Sequence, residues 1–379
     1  MNPWTTPIVV LLILTSASAG CVGKKRDCTD EGPANLGGQD LRVLDNGAWD
    51  GAYAFIKPIF EERTGSRLVQ IRAEDAGAAL KQVQDSKGAP VADLIYGVDN
   101  ALFAQGARAG VFQAYESPRL ASIDTAVIRL NDFRFNGVLL ATPVDHGFVG
   151  VNYDRAIRDE ASEGALPQTL RDLAGASWAS QLVVEDPRLS TPGLGFLVAT
   201  VATFGENGDY DYLDFWADLL DHGALVAQDW TEAYVVHFSA GYGRGSEGFA
   251  GDRRLVVSYT TSPAAEAYYG NTTPPSVSFE PAFGVFHQVE TVAILQCTPH
   301  VALAKAFVDL LLEPEYQNAA AENMAVYPVT QNATMPEAFT MHATDPKDLR
   351  PAPFTGDDLD RNVPRWLDEW TSVYQKHQA

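Results

Sequence analysis

The sequence predicts an α/β chain built on a parallel sheet with helices on both faces. Two observations carry that expectation. From residue 41 onward, short apolar strand-like runs alternate with amphipathic helical segments. The 379 residues, 46% of them hydrophobic, are also ample for a buried core and for more than one domain.

The elements follow in order. Residues 41–44 (LRVL) read as a first strand and 54–64 as an amphipathic helix. Residues 68–72 give a second strand, 78–84 a helix, 92–96 a third strand ending at Gly97, and 101–109 a helix. Further strands are expected at 148–152, 182–185, 255–259 (LVVSY) and 289–295. Helices are expected at 193–204, 212–220 and 301–312; in the last, Val301, Ala304, Phe307, Val308 and Leu311 form a core-facing stripe. Pro364 is expected to open a terminal helix whose Trp366, Trp370 and Tyr374 recur every four residues, as packing residues do.

Ahead of these elements, residues 8–14 (IVVLLIL) form an apolar run, followed by small residues through Gly20 and then Cys21. That order matches an export signal, and the run is too short to span a bilayer, which takes about 20 residues. No Lys or Arg precedes the run, and Ser18 stands three residues before Cys21 where an aliphatic residue is usual. Small-small-Cys nevertheless resembles a bacterial lipobox, and Lys24, Lys25 and Arg26 follow it, as suits anionic lipid. A signal peptide over 1–20, lipidation of Cys21 and a polar tether over 21–40 are the expectation. Of the other two cysteines, Cys28 and Cys297 either pair in an oxidising compartment or remain a tether thiol and a buried thiol. The unpaired arrangement is the expectation, and no spacing resembles a zinc site.

Asp and Glu outnumber Lys and Arg by 49 to 27, for a formal net charge of −22. That excess repels nucleic-acid phosphates and argues against a nucleic-acid partner. It either solvates the surface or concentrates a cationic ligand.

Gly243, Gly245 and Gly248 satisfy G-x-G-x-x-G, but a strand rather than a helix follows, so 239–251 reads as a surface loop. No P-loop, HExxH or G-x-S-x-G occurs, and the seven histidines have no metal-ligand spacing. Tyr268 and Tyr269 are read as packing residues, with paired phenolates for ferric ion as the alternative.

Polar and aromatic residues gather instead at strand ends: 185–196 (EDPRLSTPGLGF), 229–234 (DWTEAY), 258–263 (SYTTSP) and 287–290 (HQVE), with 93–100 and 143–147. In the first, Thr191 before Pro192 reads as an N-cap with its N1 proline, so a helix start with free N–H groups is expected there. Rings for stacking, carboxylates for charge and hydroxyls for orientation are what a flat cation requires.

On these residues the chain resembles the thiamine-binding periplasmic proteins of bacterial ABC importers. The resemblance rests on Asp186-Pro187-Arg188, on Ser190 through Gly195, on Trp230 through Tyr234, on Ser258 through Ala264, on Gln288-Val289-Glu290 and on Tyr327-Pro328-Val329, in that order. It implies a type II periplasmic-binding-protein fold, with 41–143 plus 285–379 as the first lobe, 144–284 as the second, and 186–193 as one wall of an interlobe cleft. It implies a monomeric binding protein rather than an enzyme, with no cofactor, metal or catalytic residue. Thiamine or a thiamine phosphate is the implied ligand and a membrane permease the implied partner. The implied location is the periplasm or the outer face of a bacterial membrane, with Cys21 as the possible anchor.

The family's ligand residues carry over at Asp75, Ser190, Thr191, Trp230, Tyr259, Thr260, Thr261 and Ser262, with Ala76 where the family has Gly and Trp49 matching a cleft Trp. Asp99, Asp145 and Glu290 join them by charge and placement. Three positions depart from the family: no Trp precedes Tyr327, Ala265 replaces an aromatic after Ser262-Pro263, and Leu44 replaces an aromatic near the first strand. A same-fold binder of ferric ion or another small cation is the alternative function. A thiamine-degrading enzyme, which needs a nucleophile such as Cys297, is the remote one.

Overall fold

The computed structural model describes residues 36–160, 166–241, 251–270, 273–279 and 284–378. The export signal, Cys21, Cys28 and the glycines 243, 245 and 248 lie outside the described residues.

The first lobe begins with β1 (Asp40–Asp45), α1 (Asp50–Thr64), β2 (Arg67–Arg72), α2 (Ala76–Asp85), β3 (Leu94–Asp99) and α3 (Phe103–Ala109). β1 lies parallel to both β2 and β3. Side chains alternate across a strand, so an apolar run buried on both faces needs helices on both. Leu41, Val43, Leu94 and Tyr96 meet Ile56 and Phe60 of α1 on one face. Leu44 and Ile95 meet Leu80 of α2 and Phe103 of α3 on the other.

β4 (Thr142–Asp154), 13 residues long and buried throughout, carries the chain into the second lobe. There follow β5 (Leu182–Glu185), α4 (Thr191–Phe204), α5 (Tyr212–Asp221), β6 (Leu225–Ala227), β7 (Leu255–Tyr259) and α6 (Ser262–Gly270). β8 (Phe286–Leu295) returns to the first lobe, which α7 (Val301–Leu311) and α8 (Pro314–Met324) complete; α9 (Gly356–Gln378) ends the chain. The sheet order is β2-β1-β3-β8-β4-β7-β5-β6. β8 is antiparallel to β3 and β4, and β7 is antiparallel to β4 but parallel to β5. Two long central strands thus pass between two helix-covered α/β halves, which is the type II binding-protein arrangement.

Two readings need correction. First, α9 begins at Gly356, eight residues before Pro364. Thr355 and Asp358 cap it reciprocally, the Asp358 N–H donating to Thr355 Oγ1 at 3.2 Å and the Thr355 N–H to Asp358 Oδ2 at 3.0 Å. α9 packs on α5 through Trp370, which meets Trp216 edge-on at 5.6 Å and stacks on Tyr374 at 5.0 Å, and reaches the first lobe through Asp360, which pairs with Arg108 of α3. Second, Cys297 is disulfide-bonded rather than a free buried thiol. Residues 232–237 form a π-helical turn. Among the described residues, no helix is long and apolar enough to cross a membrane.

Candidate ligand-binding site

A cleft of about 730 Å³ opens where the C-terminal ends of β1, β5 and β7 face the crossing strands. Ligands of open α/β sheets bind at such strand ends. One wall is the segment 189–192. β5 ends at Glu185, and α4 starts immediately above it, so closely that a Cβ on Gly193 would lie 2.5 Å from the Glu185 carbonyl oxygen. Only glycine permits that approach. Ser190, not Thr191, is the N-cap, and Thr191 and Pro192 are the first two helical residues. The Ser190 side chain makes no capping bond, and both hydroxyl residues line the cleft. Arg188 does not line it: its guanidinium grips Asp186 at 2.5 Å and lies 5.4 Å from the ring centres of Trp370 and Tyr374.

The aromatic wall comes from the neighbouring segments. Trp230 lies flat on Tyr234, with ring centres 4.8 Å apart and planes 14° apart, and its Nε1 donates to Ser258 Oγ at 2.8 Å. Ser258 in turn bonds Ser262 at 2.9 Å, and the Tyr234 hydroxyl donates to buried Glu266. The indole is therefore held on one face by a ring and at its edge by a hydroxyl, which fixes its plane. Tyr259, at the end of β7, reaches back to the crossing strand, its hydroxyl donating to Gln288 Oε1 at 3.1 Å.

Gln288 Nε2 donates onward to Glu290 Oε1 at 3.2 Å, and Asn46 Nδ2 donates to the same oxygen at 3.0 Å. This links both lobes through the cleft floor. Beside Glu290, in register on β4, stands Asp145. Its Oδ2 accepts from the Tyr96 hydroxyl at 2.5 Å, while Oδ1 has no partner among the described residues. Burial raises both carboxyl groups above the usual range, Glu290 further through the charges of Asp145 and Asp99.

The structure brings Asp75, Ala76, Asp145, Ser190, Thr191, Trp230, Tyr259, Thr261, Ser262 and Glu290 to the cleft. It does not bring Trp49, Asp99 or Thr260 there. Trp49 is fully buried, stacked on Tyr96 at 4.9 Å, with its Nε1 donating to the Tyr316 hydroxyl at 3.0 Å. Tyr316 and Tyr96 are themselves 3.0 Å apart, so Trp49 stands behind Asp145 as the end of a hydrogen-bonded chain. Asp99 lies in register with Glu290 on its other side, fully buried. Its Oδ1 accepts the N–H groups of Ala101 and Leu102, and burial pushes its carboxyl up to about 6. Thr260 is buried behind Tyr259, its N–H donating to the Phe148 carbonyl at 2.9 Å. His146 and His287 lie 3.1 Å apart beyond the cleft floor, both kept neutral by burial.

Several cleft residues escape the sequence reading. Asn46, Gly47 and Ala48 follow β1 and 323–326 close the first-lobe side, while Asp229, from the segment 229–234 singled out in the sequence, stands on the lip opposite Glu74. Tyr269, read as a packing residue, lines the cleft and donates to the Glu322 carbonyl at 2.7 Å, joining the second lobe to α8 of the first. It lies one helical turn beyond Ala265, which is fully buried and outside the cleft. Ala325 does line the cleft. The signal for Asn46 was its place at a strand's carboxyl end; that for Tyr269 was its i+4 spacing from the position expected to be aromatic.

Comparison with known proteins agrees with this geometry. Residues 89–350 match the family model of the bacterial extracellular solute-binding proteins. The thiamine-binding periplasmic protein of Escherichia coli is 27% identical over 83% of this chain and 86% of its own length. The protein of that name from Brucella melitensis is 24% identical over 84% and 86%. A solved periplasmic thiamin-binding protein superposes with a TM-score of 0.73 at 25% identity, covering 88% of this chain and 96% of the other. Iron-bound HitA from Pseudomonas aeruginosa superposes at 0.70 and 17% identity, over 89% and 99%, a likeness of fold alone.

Proposed function

The chain belongs to the bacterial extracellular solute-binding protein family, and from that premise we propose that it binds thiamine in the interlobe cleft and delivers it to the permease of an ABC importer. The observation that carries the reading is the pairing of walls. Trp230 and Tyr259 bring rings to the cleft lining, and Asp145, also in the lining, has a buried carboxyl oxygen with no partner among the described residues. An unpaired buried carboxylate is costly, and a flat organic cation stacked on the rings offsets that cost.

In this reading the aminopyrimidine and thiazolium rings lie against Trp230 and Tyr259. Asp145 and Glu290 balance the positive charge, and Ser190 and Thr191 at the start of α4 receive the hydroxyethyl arm. The Tyr259–Gln288 bond and the Tyr269–Glu322 bond both span structural units across the cleft, so closure around the ligand is coupled to the shape offered to the permease. The names of the Escherichia coli and Brucella melitensis relatives support thiamine over other flat cations.

A thermal-shift panel tests the choice of ligand, because a ligand that binds only the folded state stabilises it by mass action. Thiamine is expected to raise Tm in a concentration-dependent way, with ferric ion and polyamines leaving it unchanged. A shift with ferric ion and none with thiamine contradicts the reading.

A further inference from the structure

Asp145, on the cleft floor, ends a chain of three hydrogen bonds. They run from Trp49 Nε1 to the Tyr316 hydroxyl at 3.0 Å, between the Tyr316 and Tyr96 hydroxyls at 3.0 Å, and from the Tyr96 hydroxyl to Asp145 Oδ2 at 2.5 Å. Resting on the thiamine reading of that site, we propose that Trp49, Tyr316 and Tyr96 are positioning residues. They form a one-way relay that favours the anionic form of Asp145 and turns its Oδ1, which has no partner among the described residues, to the cation. Trp49 thereby takes part in binding without a place in the cleft lining.

The direction is set at the far end. An indole N–H only donates, so the Tyr316 oxygen accepts from Trp49, and the single Tyr316 hydrogen is left for Tyr96. The Tyr96 hydrogen is then left for Asp145; Met324 Sδ, 3.9 Å away, is a weak competing acceptor. A protonated Asp145 that donated to Tyr96 would reverse the chain. The Tyr316 hydrogen would then have no acceptor among the described residues, in a fully buried place. A protonated Asp145 that still accepted from Tyr96 would exchange a charge-assisted bond for a weaker neutral one. Burial, and next the charge of Asp145, raises both phenols above their usual range, so each keeps the proton it donates. Burial raises the Asp145 carboxyl and the Tyr96 bond lowers it, so the relay opposes the cost of burial.

The titratable groups around Asp145 offer no cation among the described residues that line the cleft. Tyr96 comes from β3 and Tyr316 from α8, and Glu290 of β8 lies opposite with Asp99 of β3 beyond it. The short strand at 327–328 brings Tyr327, which stacks on His146, and His146 in turn bonds His287 beyond the floor.

Urea unfolding from about pH 4 to pH 8.5 tests the relay on the wild-type chain, Trp49→Phe and Tyr316→Phe, each with and without Asp145→Asn. Trp49→Phe removes the terminal donor but leaves a gap in the core, so Tyr316→Phe, which keeps its ring and cuts the relay in the middle, is measured beside it. Because burial raises the carboxyl, the stability that Asp145 contributes is present at low pH and lost as pH rises through its folded value. Cutting the relay is expected to move the end of that loss up by about one pH unit. Thiamine affinity by calorimetry on the same variants is expected to fall roughly tenfold near pH 6 and to converge with wild type near pH 8.5. An Asp145-dependent stability profile that is unmoved in the folded variants overturns the inference, whatever thiamine does. An affinity loss equal at every pH overturns it too, since that is what a purely structural role gives. A moved profile with no thiamine binding to the wild type keeps the relay and overturns the thiamine reading.

Discussion

Glu290 on one crossing strand lies directly opposite Asp145 on the other, so two buried carboxyl groups share a single step of the sheet at the floor of the cleft. Among the described residues neither has a cationic partner: Asp145 accepts from Tyr96, and Glu290 from Asn46 and Gln288. Burial raises both, and their mutual repulsion raises Glu290 further. A cation bound beside this pair is therefore expected to favour their ionised forms.

The sign of the pH dependence follows. The ionised carboxyl groups attract the cation, and their raised pKa values mean that ionisation is lost well above the usual carboxylate range as pH falls. Thiamine affinity is expected to drop between pH 8 and pH 5. Calorimetry in two buffers of different ionisation enthalpy is expected to show net proton release on binding near neutral pH. Binding that is independent of both pH and buffer contradicts this.

Trp230→Ala removes the ring that Tyr234 supports from behind. Loss of one stacking and cation–π partner costs about 0.5–2 kcal/mol, so thiamine affinity is expected to fall roughly 2- to 30-fold. Unchanged affinity by equilibrium dialysis removes Trp230 from the site.

Tyr269→Phe deletes the hydrogen bond from the second lobe to the Glu322 carbonyl while keeping the ring. A net hydrogen bond is worth about 0.5–1.5 kcal/mol. Ligand release followed by stopped-flow fluorescence is expected to quicken about two- to tenfold, with a smaller change in the association rate. An unchanged release rate shows that the contact does not hold the lobes closed.

Asp99→Asn tests the third acid of the row. Its carboxyl is raised by burial to about 6, so the folded state binds more protons than the unfolded chain between about pH 4 and 6. Stability from this group is present below that window and lost as pH rises through it. Asn keeps an oxygen for the N–H groups of Ala101 and Leu102 without the charge. The variant is expected to lose up to about 3 kcal/mol less than wild type between pH 4 and pH 8 in urea unfolding. An identical pH profile contradicts the assignment.

Much of the scaffold was legible because its signals are local. Residues 182–185 and 255–259 are apolar runs ended by polar residues, and each is a strand over those residues. The helix starting above Glu185 was readable from its Ser-Thr-Pro-Gly order, with an error of one residue in the cap. The row Asp99–Glu290–Asp145 was not readable as a row, because register between residues 191 and 145 positions apart leaves no local trace. Trp49 shows the same gap: an aromatic next to a strand end looks alike in a cleft and in the layer behind it. The start of α9 was missed because Pro364 is a stronger local mark than the Thr355–Asp358 cap that begins the helix. The terminal aromatics repeat as a packing stripe does, but the lobe they cover depends on the path of the whole chain.

The central claim is that a cation sits between the rings and the floor carboxyl groups, and Asp145→Asn tests it most directly. Asn keeps an oxygen to accept from Tyr96 and removes only the charge. Calorimetry with thiamine at pH 7.5 is expected to give clear 1:1 binding to the wild type and affinity lowered at least about tenfold in the variant, with the variant's thermal stability retained. Undetectable binding to the wild type, or equally tight binding to a folded Asp145→Asn variant, contradicts the account.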